Sequence, residues 1–360
     1  MYEMKNQKNK ILSKKIVTNE SPETVKLSLA SAMALDLKPG LFYRNAQNPC
    51  INILLKYNEG CYAKCAYCGL SKARNGEYDE KSFIKVEWPS YLLEEVVKAI
   101  EKKRERIKRI CISMVTNHRA IADTLQILTY IRNRLDTPIS VLLSPTIVKK
   151  KDMARMKEAG ADKVGIALDA ANKKIFDQLR GREVKGPHKW ERYWDAIDEA
   201  VEIFGKGNVG IHMIVGLGES EKEFVDLMFE FRRRGAKTHL FSFFAEEGSP
   251  LEGLSPPPMG KYRRMQIARY LIDERQIDED EITFTEKDEV KSFLIPAKEF
   301  EEMISDGTAF VTSGCSGKDG KVACNRPYGD SLPGDNIRSY PFKPDSLDIA
   351  RIRKQIFSYE

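Results

Sequence analysis

The sequence predicts a parallel α/β barrel, complete or nearly complete, and three observations carry that expectation. From residue 50 onward, short apolar runs alternate with longer amphipathic stretches, the rhythm of repeated strand and helix units around one sheet. The runs number eight, as a TIM-like (β/α) barrel requires. No period of a solenoid and no low-complexity tract competes with this reading.

The eight expected strands are "CINILLKY" (50 to 57), "RICISMV" (109 to 115), "PISVLLS" (138 to 144), "KVGIALD" (163 to 169), "VGIHMIVG" (209 to 216), "THLFSFF" (238 to 244), "EITFTE" (281 to 286) and "AFVTS" (309 to 313). Helices fit between them. In "WPSYLLEEVVKAIEKKRERI" (88 to 107), Pro89 and Ser90 offer a start and apolar residues recur at three and four. Residues 1–45 form an N-terminal extension with a helix expected from "SPETVKLSLASAMAL", Pro22 in its first turn and "LKPG" as its end. The barrel is expected over 46–313. Residues 314–360 then hold a Gly-, Asp- and Pro-rich stretch and a polar helix, "DSLDIARIRKQIF".

Composition narrows the function classes. The chain has 360 residues, 42% of them hydrophobic and 9% aromatic, enough for a sizeable core. No window holds eighteen consecutive apolar residues, and the polar N-terminus lacks a signal-peptide core, so a cytoplasmic protein with no membrane partner is expected. In that reducing setting an odd count of seven cysteines points to metal binding in preference to disulfides. The net charge of +6 is dispersed. Runs such as "KAIEKKRERIKR" read as solvated helix faces, and no basic stripe interleaved with aromatic residues suggests nucleic acid. The histidines (His118, His188, His212 and His239) are scattered, and no pair has metal-ligand spacing.

The sharpest motif is "NEGCYAKCAYC", with Cys61, Cys65 and Cys68 inside eight residues. It follows the first barrel strand, so its thiols emerge at the C-terminal mouth, where such barrels carry their chemistry. Spacings of four and three suit three irons of a cubic cluster with the fourth left open. A structural zinc site would close with another Cys or His nearby, and the next 40 residues hold neither. CxxxCxxC with an aromatic before its last Cys resembles the signature of the radical S-adenosylmethionine (SAM) superfamily. The resemblance implies that SAM is the fourth ligand of a [4Fe-4S] cluster and is cleaved there to a 5′-deoxyadenosyl radical. It also places Tyr67 beside the adenine, and Gly216 and Gly218 of "VGLGES" where backbone approaches the nucleoside, with Glu219 beginning the next helix. The superfamily's Gly-Gly-Glu is replaced by "SMVTNH", so Thr116 and Asn117 stand as the contacts for the methionine amino group. Asp169 reads either as a ribose acceptor or as the N-cap of the helix in "AANKKIFDQL".

A second motif lies in "GCSGKDGKVACNRPYGDSLPG". Cys315, Ser316, Cys324, Asn325, Arg326, Pro327, Tyr328 and Pro333 match a pattern of the biotin-synthase-like branch, that of the two-protein lipoyl synthases. Following the last expected strand, this segment is expected at the same mouth. The resemblance implies a second [4Fe-4S] cluster sacrificed as sulfur donor, held by Cys315, Cys324 and a further thiol. Cys111 is preferred to Cys50, which is expected at the barrel's bottom as a small buried hydrophobe. Ser313 or Ser316 is a further candidate ligand. Asn325 and Arg326 stand beside the cluster sulfur, or Arg326 only anchors the tail. The implied substrate is an octanoyl-lysine on a lipoyl-carrier protein, and the implied partners are a second radical SAM lipoyl synthase protein and a low-potential donor such as ferredoxin. The seven residues between Ser316 and Cys324 lean toward the member acting at C8. Sulfur insertion into a small molecule, an amino-acid mutase and a zinc-organised binding module are the alternatives. The first two leave the C-terminal cysteines idle, and a colourless zinc protein would mark the third.

Overall fold

The computed structural model describes residues 18–78, 81–82 and 86–359. Residues 1–17 of the expected N-terminal extension lie outside them. Six of the eight expected strands form as read: β2 (Cys50–Leu55), β4 (Arg109–Ser113), β5 (Ile139–Leu143), β6 (Lys163–Asp169), β7 (Val209–Val215) and β8 (Lys237–Ser242). They pair in parallel in chain order. Between them run α2 (Leu93–Lys102), α3 (Ala120–Arg132), α4 (Lys150–Glu158), α5 (Lys173–Leu179), α6 (Trp190–Phe204) and α7 (Glu221–Arg234). The result is a TIM-like barrel that hydrogen bonds do not close, because the eight-stranded sheet ends on β8 at one side.

Its other edge corrects the expected N-terminal helix. Residues Thr24–Leu27 are a strand, β1, fully buried and antiparallel to β2, with Val25 opposite Leu55. The β-branched Thr24 and Val25 favour that pleated, covered position. Only then does helix α1 (Leu29–Ala34) begin, its first turn capped by the Ser28 side chain accepting from Ser31 N–H. A short strand β3 (Ser90–Leu92) pairs outside β1 and takes the first residues of the helix expected from 88.

The last two expected strands are not barrel strands. Residues Ile282–Phe284 are β9, paired with β10 (Val290–Phe293) in a separate antiparallel ribbon. "AFVTS" holds a single 3₁₀ turn, Thr308–Phe310, and one isolated bridge from Val311 to Tyr340. The free edge of β8 is satisfied by side chains: Thr238 N–H donates to Asp273, Leu240 N–H to Ser313 Oγ, and Arg326 donates to Leu240 O. A strand edge whose polar groups are already paired offers no ladder to a further strand.

Alternation along the strands sets the interior. Ile51, Ile53, Ile110, Ile112, Val164, Ile166 and Ile211 are fully buried. The residues between them, Asn52, Cys111, Ser140, Gly165 and His212, line an internal cavity instead. The strands thus give bulk to the helix side and small or polar groups to the inside, leaving an unfilled barrel.

Behind β8 come α8 (Met259–Tyr270) and α9 (Ala297–Asp306), and the polar C-terminal helix forms as α10 (Ser346–Ile356). Arg44 ties the N-terminal segment to it through Asp348 at 2.8 Å and Asp345 at 2.7 Å. Among the described residues no helix is long and apolar enough to cross a membrane.

Candidate functional site

Two cavities stack inside the barrel, and each receives one set of thiols. The upper, about 220 Å³, is lined by Cys61, Cys65 and Cys68 with Tyr67, Thr116, Ser144, Asp169 and Arg180. The lower, about 320 Å³, is lined by Cys111, Cys315, Cys324 and Arg326. Ser113, Leu142, His212 and Phe241 belong to both walls, so the cavities adjoin.

The upper thiols sit on a loop held by backbone. Tyr62 N–H donates to Thr116 O at 2.8 Å, Ala66 N–H to Leu179 O at 2.7 Å and Lys72 N–H to Ala63 O at 2.8 Å. Gly60 turns with φ +67°, and a Cβ there would stand 2.5 Å from the Tyr78 ring; at Gly69 it would meet Ser82 O at 2.2 Å. Burial pushes Cys65 up to about 12 and raises Cys68 as well, so loading metal on these thiols must displace protons.

At the end of β6, Asp169 has φ +66° just past an irregularity in the β6–β7 register. A non-glycine residue in that region is held by its surroundings. Its Oδ2 accepts from Tyr67 Oη at 2.5 Å and from Arg180 at 2.6 Å, and Arg180 also donates to Tyr193 Oη at 2.8 Å. Burial raises the Asp169 carboxyl, opposed by Arg180 and Tyr67. The helix N-cap alternative falls away, because Asn172 caps α5 by accepting from Ile175 N–H.

Other expected contacts are placed differently. Thr116 faces the cavity, its hydroxyl 2.9 Å from that of Ser144. Asn117 does not line it: its amide donates to Gly60 O and accepts from Arg119 N–H, so it braces the cysteine loop. Neither Gly216 nor Gly218 lines either cavity. Glu219 does not begin a helix; its carboxylate folds back to accept from Gly216 and Leu217 N–H, both at 2.8 Å, and α7 starts after Ser220. At Gly216 a Cβ would stand 2.7 Å from Pro257, which makes that glycine a packing requirement.

The lower thiols correct the expectation that the tail returns to the same mouth. Cys111, the middle residue of β4, opposes Asn52, and Ser316 accepts from Arg109 at the first position of β4, so the tail's cysteine segment lies toward the N-terminal ends of the strands while its Gly329 and Asp330 line the upper cavity. The tail folds on itself there: Ala323 and Cys324 N–H both donate to Cys315 O at 3.0 Å, and a Cβ on Gly314 would stand 2.1 Å from Cys324 O. Arg109, fully buried at the first position of β4, clasps it by donating to Ser316 O at 2.6 Å while gripping both oxygens of Asp162 at 2.7 Å.

Cys50, expected to be far from these thiols, is their neighbour. Set against each other, the Cys50 thiol is raised and the Cys324 thiol lowered, and Cys324 Sγ donates to Asn52 Oδ1 at 3.9 Å. Burial raises Cys111 to about 12 and Cys315 to about 11, and Ser140, paired with Cys111 across β4 and β5, opposes both shifts. Ser313 Oγ is taken by Leu240 N–H. Arg326 donates to Leu240 O and Ser313 O, with its guanidinium 3.9 Å from the Phe241 ring centroid. It therefore anchors the tail and lines the cavity at once. Asn325 ties the same turn through Gln47 O and Pro341 O. Burial holds His212 down to about 3, with Arg326 adding to the shift, so the wall it forms is neutral.

Residues 55–231 match the family model described as the Radical SAM superfamily. Residues 55–231 of the barrel are a radical SAM domain. Of curated proteins, a biotin synthase of Leptospira biflexa serovar Patoc is 25% identical over 197 residues, covering 54% of this chain; the chain spans about half of that relative, 52%. Among solved structures, methylornithine synthase aligns with TM-score 0.47 and 13% identity over 66% of this chain and 67% of its own. The [FeFe]-hydrogenase maturase HydG aligns with TM-score 0.49 and 12% identity over 67% and 53%.

The radical SAM family implies a [4Fe-4S] cluster and SAM, and the upper donors fit them. The three cysteines line a cavity that also offers the Thr116 and Ser144 hydroxyls and the Asp169 carboxylate beside the Tyr67 ring. Sequence reasoning missed Arg180, Tyr193 and Ser144. Ser144 lies just past the end of β5, where its position in the barrel could have marked it; Arg180 and Tyr193 reach the cavity from α5 and α6, for which local sequence gives no signal.

Proposed function

We propose that this radical SAM enzyme inserts sulfur into a protein-bound octanoyl chain, at C8, in the biosynthesis of a lipoyl group. One observation carries the reading: two thiol sets stand in adjoining cavities of one barrel, with a mostly apolar wall between them. A module organised by zinc has no use for that arrangement. The similarity to a biotin synthase supports sulfur insertion as the reaction class. Small-molecule sulfur insertion leaves the tail motif at Cys315 and Cys324 without a part, which is why an acyl chain on a carrier protein is preferred.

When bound, a [4Fe-4S] cluster with SAM at the upper thiols supplies hydrogen abstraction from an unactivated carbon, and a second cluster at the lower thiols supplies sulfur. The chain's own residues do the rest. Leu54, Leu142, Ile214, Phe241 and Phe243 line the upper cavity and exclude water from the reacting carbon. Leu41, Tyr43, Trp88 and Leu332 extend the lower cavity as an apolar passage for an extended chain. Leu41 and Leu332 are themselves exposed, 96% and 67%, as suits a surface that receives a carrier domain. A second radical SAM protein and a low-potential donor such as ferredoxin complete the proposed system.

The test is a pair of single-turnover assays with octanoyl-lysyl peptide deuterated at C8 or at C6, SAM and a strong reductant, without a partner protein. Deuterium in 5′-deoxyadenosine and 8-mercaptooctanoyl product, at most one per second cluster, are the expected results. Transfer from C6 alone identifies the other member of the pair, and transfer from neither carbon overturns the acyl-chain reading.

A further inference from the structure

We infer that Cys50 is the fourth protein thiol of the lower site, completing a set with Cys111, Cys315 and Cys324. This rests on the proposed second cluster and goes beyond it, because only three thiols were expected there.

Four observations lead to it. Cys50 opens β2 opposite Arg109, and Asn52 opposes Cys111, so Cys50 and Cys111 stand one pleat apart on neighbouring parallel strands. Residue alternation puts Cys50 on the same face of β2 as Asn52 and Leu54, both of which line the cavities. Cys324 Sγ donates to Asn52 Oδ1 at 3.9 Å, two residues along β2 from Cys50, and the Cys324 backbone N–H is held by Cys315 O. The four thiols therefore come from three chain segments that converge without any needing to unfold. Asn48, two residues before Cys50, adds an independent sign of a ligand: it is 6% exposed, lines the lower cavity, and both its amide atoms are buried without a partner. A buried amide left unpaired costs on the order of 1–3 kcal/mol, a penalty that a bound group accepting its N–H removes.

The alternative, that Cys50 is a small hydrophobic filler, does not account for its place on the cavity-facing side of β2, one pleat from Cys111 and beside the unpartnered Asn48 amide. A cubic cluster has four irons to hold, and four thiolates from this chain leave no corner for a thiol on the substrate. That suits an octanoyl chain, which has no thiol to offer.

The experiment uses full-length protein in which Cys61, Cys65 and Cys68 are Ala, so that only the lower site can carry iron after anaerobic reconstitution. This background is expected to bind about four iron and about four sulfide per chain. Adding Cys50→Ala should lower iron to about three and produce the near-isotropic electron paramagnetic resonance signal of a three-iron cluster on oxidation. Cys50→Ser, which keeps the size of the side chain, should recover the fourth iron in part and guards against misfolding. Mössbauer spectra of the background protein should show no iron site distinct from the thiolate-bound others. Four irons with an unchanged spectrum in Cys50→Ala, or a distinct iron site in the background protein, overturns the assignment of Cys50. A background protein without iron overturns the second cluster itself.

Discussion

The upper site draws its thiols from one stretch of eight residues, while the lower gathers Cys50, Cys111, Cys315 and Cys324 from two strands and a tail more than 200 residues away. The first is shaped by a loop whose backbone bonds run mostly within residues 57–74. The second exists only once β2 and β4 are paired and the tail has closed over their N-terminal ends under Arg109. A local site survives changes elsewhere in the chain; an assembled one inherits the stability of every contact that assembles it. The two should therefore fail differently.

The largest expected effect is at the local site. Replacing Cys61, Cys65 and Cys68 with Ala removes every thiol of the upper cavity and none of the lower. SAM cleavage to 5′-deoxyadenosine under reduction should vanish, while about four irons remain. Chromatographic detection of 5′-deoxyadenosine beside an iron assay checks both halves, and residual cleavage would break the assignment.

Next come Cys315→Ala and Cys324→Ala. Neither touches the upper cavity, so SAM cleavage should persist at close to the wild-type rate while thiolated product falls below detection. Mass spectrometry of the peptide product reads this directly, and normal thiolation by either variant would remove the tail from the reaction.

Arg109→Met sharpens the contrast, because Arg109 is no thiol and sits outside both cavities. Its guanidinium joins the tail at Ser316 O to Asp162, and losing those bonds should cost about 1–3 kcal/mol. Iron at the lower site should fall while SAM cleavage at the upper site holds. Equal loss at both sites would mean that the two regions are not independent.

The same contrast explains what was legible in advance. Cys61, Cys65, Cys68 and Tyr67 could be read because spacing along the chain is spacing in the loop. The six parallel strands were legible for a similar reason, since their apolar runs and periodicity are local. The strand at Thr24–Leu27 was hidden because "TVKL" runs on into a helical pattern, and only the partner strand β2 decides between them. Residues 309–313 looked like a strand, yet the β8 edge was already paired with Ser313, Arg326 and Asp273, three residues with no pattern in common. Cys50 opens β2 as expected, whereas Cys315 and Cys324 were misplaced for the reason that makes the lower site fragile: nothing near them in sequence reveals which strand end they meet.

The smallest effect concerns the Gly-rich turn after β7, where sequence and structure part. If "VGLGES" brings its backbone to the nucleoside, a methyl group at residue 218 should weaken SAM binding. In the fold, however, Glu219 occupies the N–H groups of Gly216 and Leu217, and Gly218 is exposed and lines neither cavity. A Cβ at Gly218 would meet nothing within 4 Å, so its cost is conformational: φ is +111°, which L-residues resist. Gly218→Ala should therefore lower stability by about 1–2 kcal/mol while changing the SAM dissociation constant by less than about twofold, or roughly 0.4 kcal/mol. Chemical denaturation of the reconstituted protein and equilibrium binding of SAM measure the two separately. A loss of affinity larger than the loss of stability would return the turn to the nucleoside site.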